Sequence, residues 1–129
     1  MMEPVWIEEQ ETLVFHDRLL VQHGGASGVR DRGLLASALA RPKQLATYAD
    51  LPDMAQLAAA YTAGIVKNHP FVDGNKRTGF LIGALFLEMN GYRFTASQET
   101  AANAVIMLAA GDIDERAYAN FLSANITPT

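Results

Sequence analysis

Apolar residues recur at helical spacing along most of the chain, and Gly, Pro and capping residues cut that pattern into short pieces. The first helix is predicted from about Ile7 to Gln22, with Leu13, His16 and Leu20 on one face and Gly24-Gly25 as its stop. Asp31 reads as the N-cap of a second helix, Gly33 to Arg41, which Pro42 ends. Residues 43–52 then form a loop, a short flap or a small hairpin. Asp53-Met54-Ala55-Gln56 resembles a capping box, and behind it Leu57, Tyr61 and Ile65 line one face up to Asn68. Pro70 and Gly74 break this helix. The next, Lys76 to about Asn90, is apolar nearly all round (Phe80, Leu81, Ile82, Leu85, Phe86, Leu87), so it is expected to be the buried central helix, with Gly91 as its stop. Tyr92-Arg93-Phe94 is a short extended piece. Ser97 caps a helix to Ala110, ended by Gly111, and Asp114 caps a last one to about Ala124. The expected architecture is an all-α, compact helical bundle.

Composition narrows the picture. The chain has 129 residues, which predicts a single domain over 1–129 that buries its core without disulfides or a structural metal. It contains no cysteine, which removes disulfides and thiolate metal sites and fits a reducing cytoplasm, the expected location. The net charge of -4 argues against nucleic acid as the main ligand, because DNA binders carry basic surfaces. No basic n-region precedes an apolar stretch, and the longest apolar run, Thr78 to Leu87, is too short to cross a bilayer.

The chemistry concentrates in His69-Pro70-Phe71-Val72-Asp73-Gly74-Asn75-Lys76-Arg77. A helix N-terminus exposes unpaired N–H groups and carries partial positive charge. Lys76 and Arg77 in its first turn are unfavourable there unless a strong anion joins them, and a bound phosphate resolves the conflict. Gly74 permits a turn that aims N–H groups into an anion nest, and Asn75 can cap the helix or bond a phosphate oxygen. Arg77 offers a planar fork and Lys76 a point charge. Asp73 supplies the oxygen that a hard cation such as Mg2+ seeks beside phosphates. His69 can move a proton near neutral pH. Taken alone, Asp73-Gly74-Asn75 is also an ordinary turn and cap, and Pro70 and Phe71 read as a helix stop and an anchor. The convergence of these groups within one turn of chain points to phosphoryl or nucleotidyl transfer, in which catalysis is mostly positioning and charge stabilisation.

These residues resemble the signature of the Fic/Doc family, His-x-Phe-x-Asp/Glu-Gly/Ala-Asn, at every specified position. In Fic-type adenylyl transferases a Gly follows the Asn, then Arg, with a second Arg three residues on. Here Lys76 stands at the Gly position, Arg77 is kept, and Phe80 replaces the second Arg. That tail resembles the Doc branch, the death-on-curing toxins of toxin–antitoxin pairs. Phe15-His16-Asp17, His23-Gly24-Gly25, Gly28-Val29-Arg30-Asp31, Leu34-Leu35 and Ser37 to Pro42 are similar to the N-terminal half of such proteins.

The resemblance implies an ATP-dependent, Mg2+-assisted kinase that phosphorylates a hydroxyl of a translation component, elongation factor Tu, and arrests translation. It makes His69 the base, Asp73 the magnesium ligand or the group that orients His69, and Gly74, Asn75, Lys76 and Arg77 the phosphate holders. A Lys where Fic proteins carry Gly blocks close approach of phosphate to the backbone, so the nucleotide sits reversed with its γ-phosphate at His69. Two readings compete. Pro70 and Gly74 are closer to the Fic pattern, which keeps a Fic-type adenylyl transferase open; a non-catalytic nucleotide- or partner-binding module is the other. The inhibitory Ser/Thr-x-x-x-Glu-Gly/Asn motif is missing: Thr95 to Glu99 has the spacing, but Thr100 follows. Restraint is therefore expected from a separate cognate antitoxin whose amphipathic helix lies in a groove. His16 reads as a hydrogen-bonded structural histidine, Arg30 and Asp31 as a cap and an ion pair, Tyr48 as part of a surface loop or target-docking flap, and Arg41 as a possible site contact.

Overall fold

The computed structural model describes residues 3–48 and 53–129. Six helices and two short strands follow in the order α1 (Glu9–His23), α2 (Arg32–Tyr48), α3 (Met54–Asn68), α4 (Asn75–Met89), β1 (Tyr92–Phe94), α5 (Gln98–Ala110), α6 (Glu115–Ala124) and β2 (Ile126–Pro128). The architecture is the expected all-α one, and the termini of its elements follow from capping chemistry. Asp31, Asp53, Ser97 and Asp114 each accept a first-turn N–H, from Leu34, Ala55, Thr100 and Ala117 respectively. Gly24 and Gly111 end α1 and α5 with positive φ, where a side chain would be strained.

Three expectations change. The helix expected to stop at Arg41 runs through Pro42 to Tyr48, so residues 43–48 are helical rather than a hairpin or flap; residues 49–52 of that expectation lie outside the described residues. A proline in a helix interior loses one hydrogen bond and crowds the preceding turn, at a cost of about 3 kcal/mol. Packing on both sides offsets it: Leu35, Ala38, Leu39 and Pro42 itself are buried, Leu45 and Ala46 pack on the core, and Lys43 pairs with Glu8 at 2.7 Å. The most enclosed helix is α3, buried from Leu57 to Val66, and not α4. It lies against α2, α4, α5 and α6, and its alanines let them approach closely. On the α4 side, Gly79 and Gly83 make room: a Cβ on Gly79 would sit 2.9 Å from Val66 Cγ2, and one on Gly83 would collide with Thr62 Oγ1. Thr62 Oγ1 then donates across the interface to Gly79 C=O at 2.8 Å. The third change is β2, which pairs antiparallel with β1, Arg93 opposite Thr127.

The N-terminal segment is pinned to α3 by Tyr61, whose hydroxyl accepts from Ile7 N–H at 2.9 Å and donates to Ile7 C=O at 3.2 Å. Burial raises the Tyr61 and Tyr118 phenols to about 12 from 10.0. A group whose pKa is raised on folding contributes stability that is complete below its unfolded value and is lost as pH rises through the folded value. Stability should therefore hold up to about pH 10 and fall between pH 10 and about 12, with phenolate absorbance appearing as structure is lost. Urea unfolding followed by circular dichroism across that range checks this; a constant midpoint from pH 8 to 12 would contradict it.

Candidate active site

Helix α3 cannot continue past His69, because Pro70 disfavours a helical conformation in the residue before it. His69 closes the helix in the left-handed region, φ 53 and ψ 52, and is the one non-glycine residue with positive φ among the described residues. Such a conformation costs about 1–3 kcal/mol, so the surroundings must impose it. They do so from both sides. Pro70 and Phe71 are buried, Phe71 stacks on His16 with ring centroids 3.8 Å apart, and Val29 bridges to Phe71. His16, 2% exposed, donates from Nε2 to Asp73 C=O at 2.8 Å, the structural role expected of it.

Asn75 turns inward, contrary to the expectation that its side chain bonds phosphate. It is 4% exposed, its Oδ1 accepts Phe71 N–H at 3.0 Å, and its Nδ2 donates to Phe71 C=O at 3.0 Å. Phe71 N–H can only donate, which assigns the amide orientation. Nδ2 also meets His69 Nδ1 at 3.1 Å, so that nitrogen is the acceptor and the neutral imidazole carries its proton on Nε2. From this position Asn75 can offer a phosphate only its backbone N–H.

Asp73 does not orient His69 either. Its Oδ1 accepts Gly74 N–H at 2.9 Å and its Oδ2 accepts Ala26 N–H at 3.3 Å. The α1–α2 connection comes so close that a Cβ on Gly25 would lie 2.8 Å from Oδ2. The carboxylate stays exposed on the pocket wall with lone pairs to spare. Among the described residues no three His, Cys, Asp or Glu gather into a metal cage. One carboxylate beside a phosphate site suits magnesium, which takes its remaining ligands from phosphates and water.

Gly74, φ 79, turns the chain into α4 with no side-chain cap. The first-turn N–H groups of Asn75, Lys76 and Arg77 thus have no intrahelical acceptor, an arrangement suited to an anion, and all three residues line the pocket described below. Lys76 and Arg77 are exposed and form no ion pair among the described residues, so two cations crowd the positive end of a helix.

All six of these loop and helix residues with side-chain or backbone roles, His69 and Asp73 to Arg77, line a pocket of about 850 Å³, within the range of small-molecule sites. Its remainder is mostly apolar: Phe80, Leu81 and Ala84 from α4, Phe94 from β1, Ala101, Ala102, Val105 and Ile106 from α5, and Leu19 from α1, with the polar side chains of His23 and Gln98 at the ends of α1 and α5. This explains why α4 is apolar nearly all round without being the central helix. One side faces α3 and the other faces the pocket. The wall contributed by α5 carried no motif, and the excess apolar face of α4 was the sequence signal for it; on the α1 side, His23 belongs to the His23-Gly24-Gly25 segment of the family resemblance. Arg41 is not part of the site, since it pairs with Glu115 at 2.7 Å. Arg30 forms no ion pair among the described residues, and its guanidinium reaches carbonyls at the end of α3 instead.

Residues 6–87 match the Fic/DOC family. Similar proteins include the protein kinase doc of Escherichia phage P1, 29% identical over 116 residues, spanning 90% of this chain and 91% of the relative. The toxin Doc of Mycolicibacterium smegmatis is 40% identical over 77 residues, 59% of each chain. With the signature residues gathered at the N-terminus of α4 and the match covering most of the helical core, this chain belongs to the Fic/DOC family, on its Doc branch.

Proposed function

We propose that this protein is a Doc-type toxin that transfers the γ-phosphoryl group of ATP to a hydroxyl of a translation component, elongation factor Tu, and that a cognate antitoxin restrains it. The observation that carries the reading is the pair of cations, Lys76 and Arg77, without an ion-pair partner among the described residues, on a helix terminus with free N–H groups, beside an exposed histidine. The names of the two relatives, a protein kinase and a toxin, support it.

In this reading the nucleotide's phosphates lie on the first turn of α4, held by the N–H groups of Asn75 to Arg77, the Lys76 ammonium and the Arg77 fork. The adenine end packs against the apolar wall of α4 and α5. Asp73 holds Mg2+, which when bound neutralises phosphate charge. The target hydroxyl attacks the γ-phosphorus; its O–P bond forms as the bond to the leaving ADP oxygen breaks, and His69 takes the hydroxyl proton. Asn75 donates to the Nδ1 lone pair and Nε2 is protonated in the neutral ring, so the imidazole, its backbone kept in place, exchanges the Asn75 contact for the hydroxyl proton at Nδ1 by a local side-chain rotation.

Intact-mass spectrometry of elongation factor Tu after incubation with the protein, Mg2+ and ATP tests the reading. One added phosphate, absent with His69→Ala, is the expected result. An added AMP would move the protein to adenylyl transfer, and no addition would remove this target. Lys76→Gly should weaken phosphorylation by about tenfold or more, the loss of one charge-assisted contact, and shift product toward adenylylation. Unchanged product and rate in that variant would refute the reversed nucleotide.

A further inference from the structure

The connection between α1 and α2 runs beside the site loop and meets it at more points than a connector needs. Val72 N–H donates to Gly28 C=O at 3.0 Å. Arg30 N–H and Asp31 N–H both donate to Pro70 C=O, at 2.6 and 3.1 Å. The Arg30 side chain reaches further back: Nε donates to His69 C=O at 2.7 Å and Nη2 to Asn68 C=O at 2.9 Å. These carbonyls close α3, where C=O groups lack intrahelical partners and the helix dipole is negative. No carboxylate pairs with Arg30 among the described residues, so its charge is committed to them.

We infer that Arg30 is a positioning residue for His69: its guanidinium holds the His69 backbone in the left-handed conformation that sets the imidazole against Asn75 and into the pocket. The inference rests on the reading of His69 as proton acceptor. A planar fork donates to two successive carbonyls at once, and a lysine ammonium cannot hold both in that geometry. No other described side chain donates to either carbonyl. Without the guanidinium, His69 relaxes toward the extended region that a residue before proline favours, and its imidazole swings off Asn75.

Arg30→Met removes both donors and keeps the apolar stem; Arg30→Lys restores one donor. Each full-length variant is compared with the wild type in kcat, nucleotide KM and the long-range 15N–1H spectrum of the His69 imidazole without nucleotide. Arg30→Met should lower kcat by about 10²-fold, the scale of a misplaced catalytic group, with nucleotide KM unchanged. In the same variant the His69 Nδ1 resonance should leave its hydrogen-bonded acceptor position as the ring samples both tautomers. Arg30→Lys should recover part of each change. His69 resonances that stay as in wild type in Arg30→Met would overturn the inference, as would a drop in thermal stability with those resonances intact. If Arg30→Met does not fold, the spectrum of Arg30→Lys decides in the same way. Loss of the base reading looks different: His69→Ala would keep its rate, while the imidazole spectra still report whether Arg30 holds His69.

Discussion

His69→Ala should abolish growth arrest and lower phosphoryl transfer by about 10²–10⁴-fold, the usual contribution of a positioned general base, while the protein stays folded. The expectation of an intact fold comes from geometry. His69 is exposed, and its side chain makes one hydrogen bond among the described residues, Nδ1 with Asn75 Nδ2. Asn75 keeps its two bonds to Phe71 without it, and the backbone at residue 69 stays tied through Ile65 and Arg30. Nucleotide affinity should persist, because the N–H groups and cations of α4 are untouched. His69→Asn serves as a control, since asparagine tolerates the left-handed region and carries no base. Transfer rates together with thermal unfolding check this. A folded variant that still transfers phosphate at the wild-type rate would remove His69 from the chemistry.

Asn75→Ala should have the largest effect on stability, and it separates two roles that the signature leaves merged. The side chain satisfies the N–H and the C=O of Phe71, a residue with no exposed surface. Truncation leaves both groups unpaired in the interior at about 1–3 kcal/mol each, so a loss of about 2–6 kcal/mol is expected from the shift in urea midpoint. Nucleotide affinity, measured where the variant is fully folded, should change by less than about threefold, because the helix-terminus N–H groups that face the anion remain. If Asn75 bonded phosphate through its amide, the pattern would invert: affinity would fall by about tenfold or more, the scale of a lost charge-assisted bond, and stability would hold.

Sequence and structure divide along a physical line. Caps, helix stops and the site segment are local: Asp31, Asp53, Ser97 and Asp114 begin helices, glycines end them, and His69 to Arg77 are neighbours along the chain. Such features depend on interactions within a few residues, so their residue types alone disclosed the all-α class, most helix boundaries and the gathering of two cations on the first turn of α4. What escaped depends on residues far apart. Pro42 ended a helix by local rule, but burial against α3 carries α2 through it. The apolar circumference of α4 fitted a central helix equally well as a helix between a core and a pocket, and only the placement of α5 and β1 decided which. β2 is three residues long, too short to signal itself without its partner strand. In the site, identity was legible and direction was not. An asparagine beside an anion site reads as a ligand until Phe71 claims its amide, an aspartate beside a histidine reads as its orienter until Ala26 and Gly74 claim its oxygens, and Arg30 reads as half of an ion pair until the end of α3 presents it with two carbonyls. Hydrogen-bond partners are chosen by which donors and acceptors the packed backbone brings within reach, and that choice belongs to the tertiary structure.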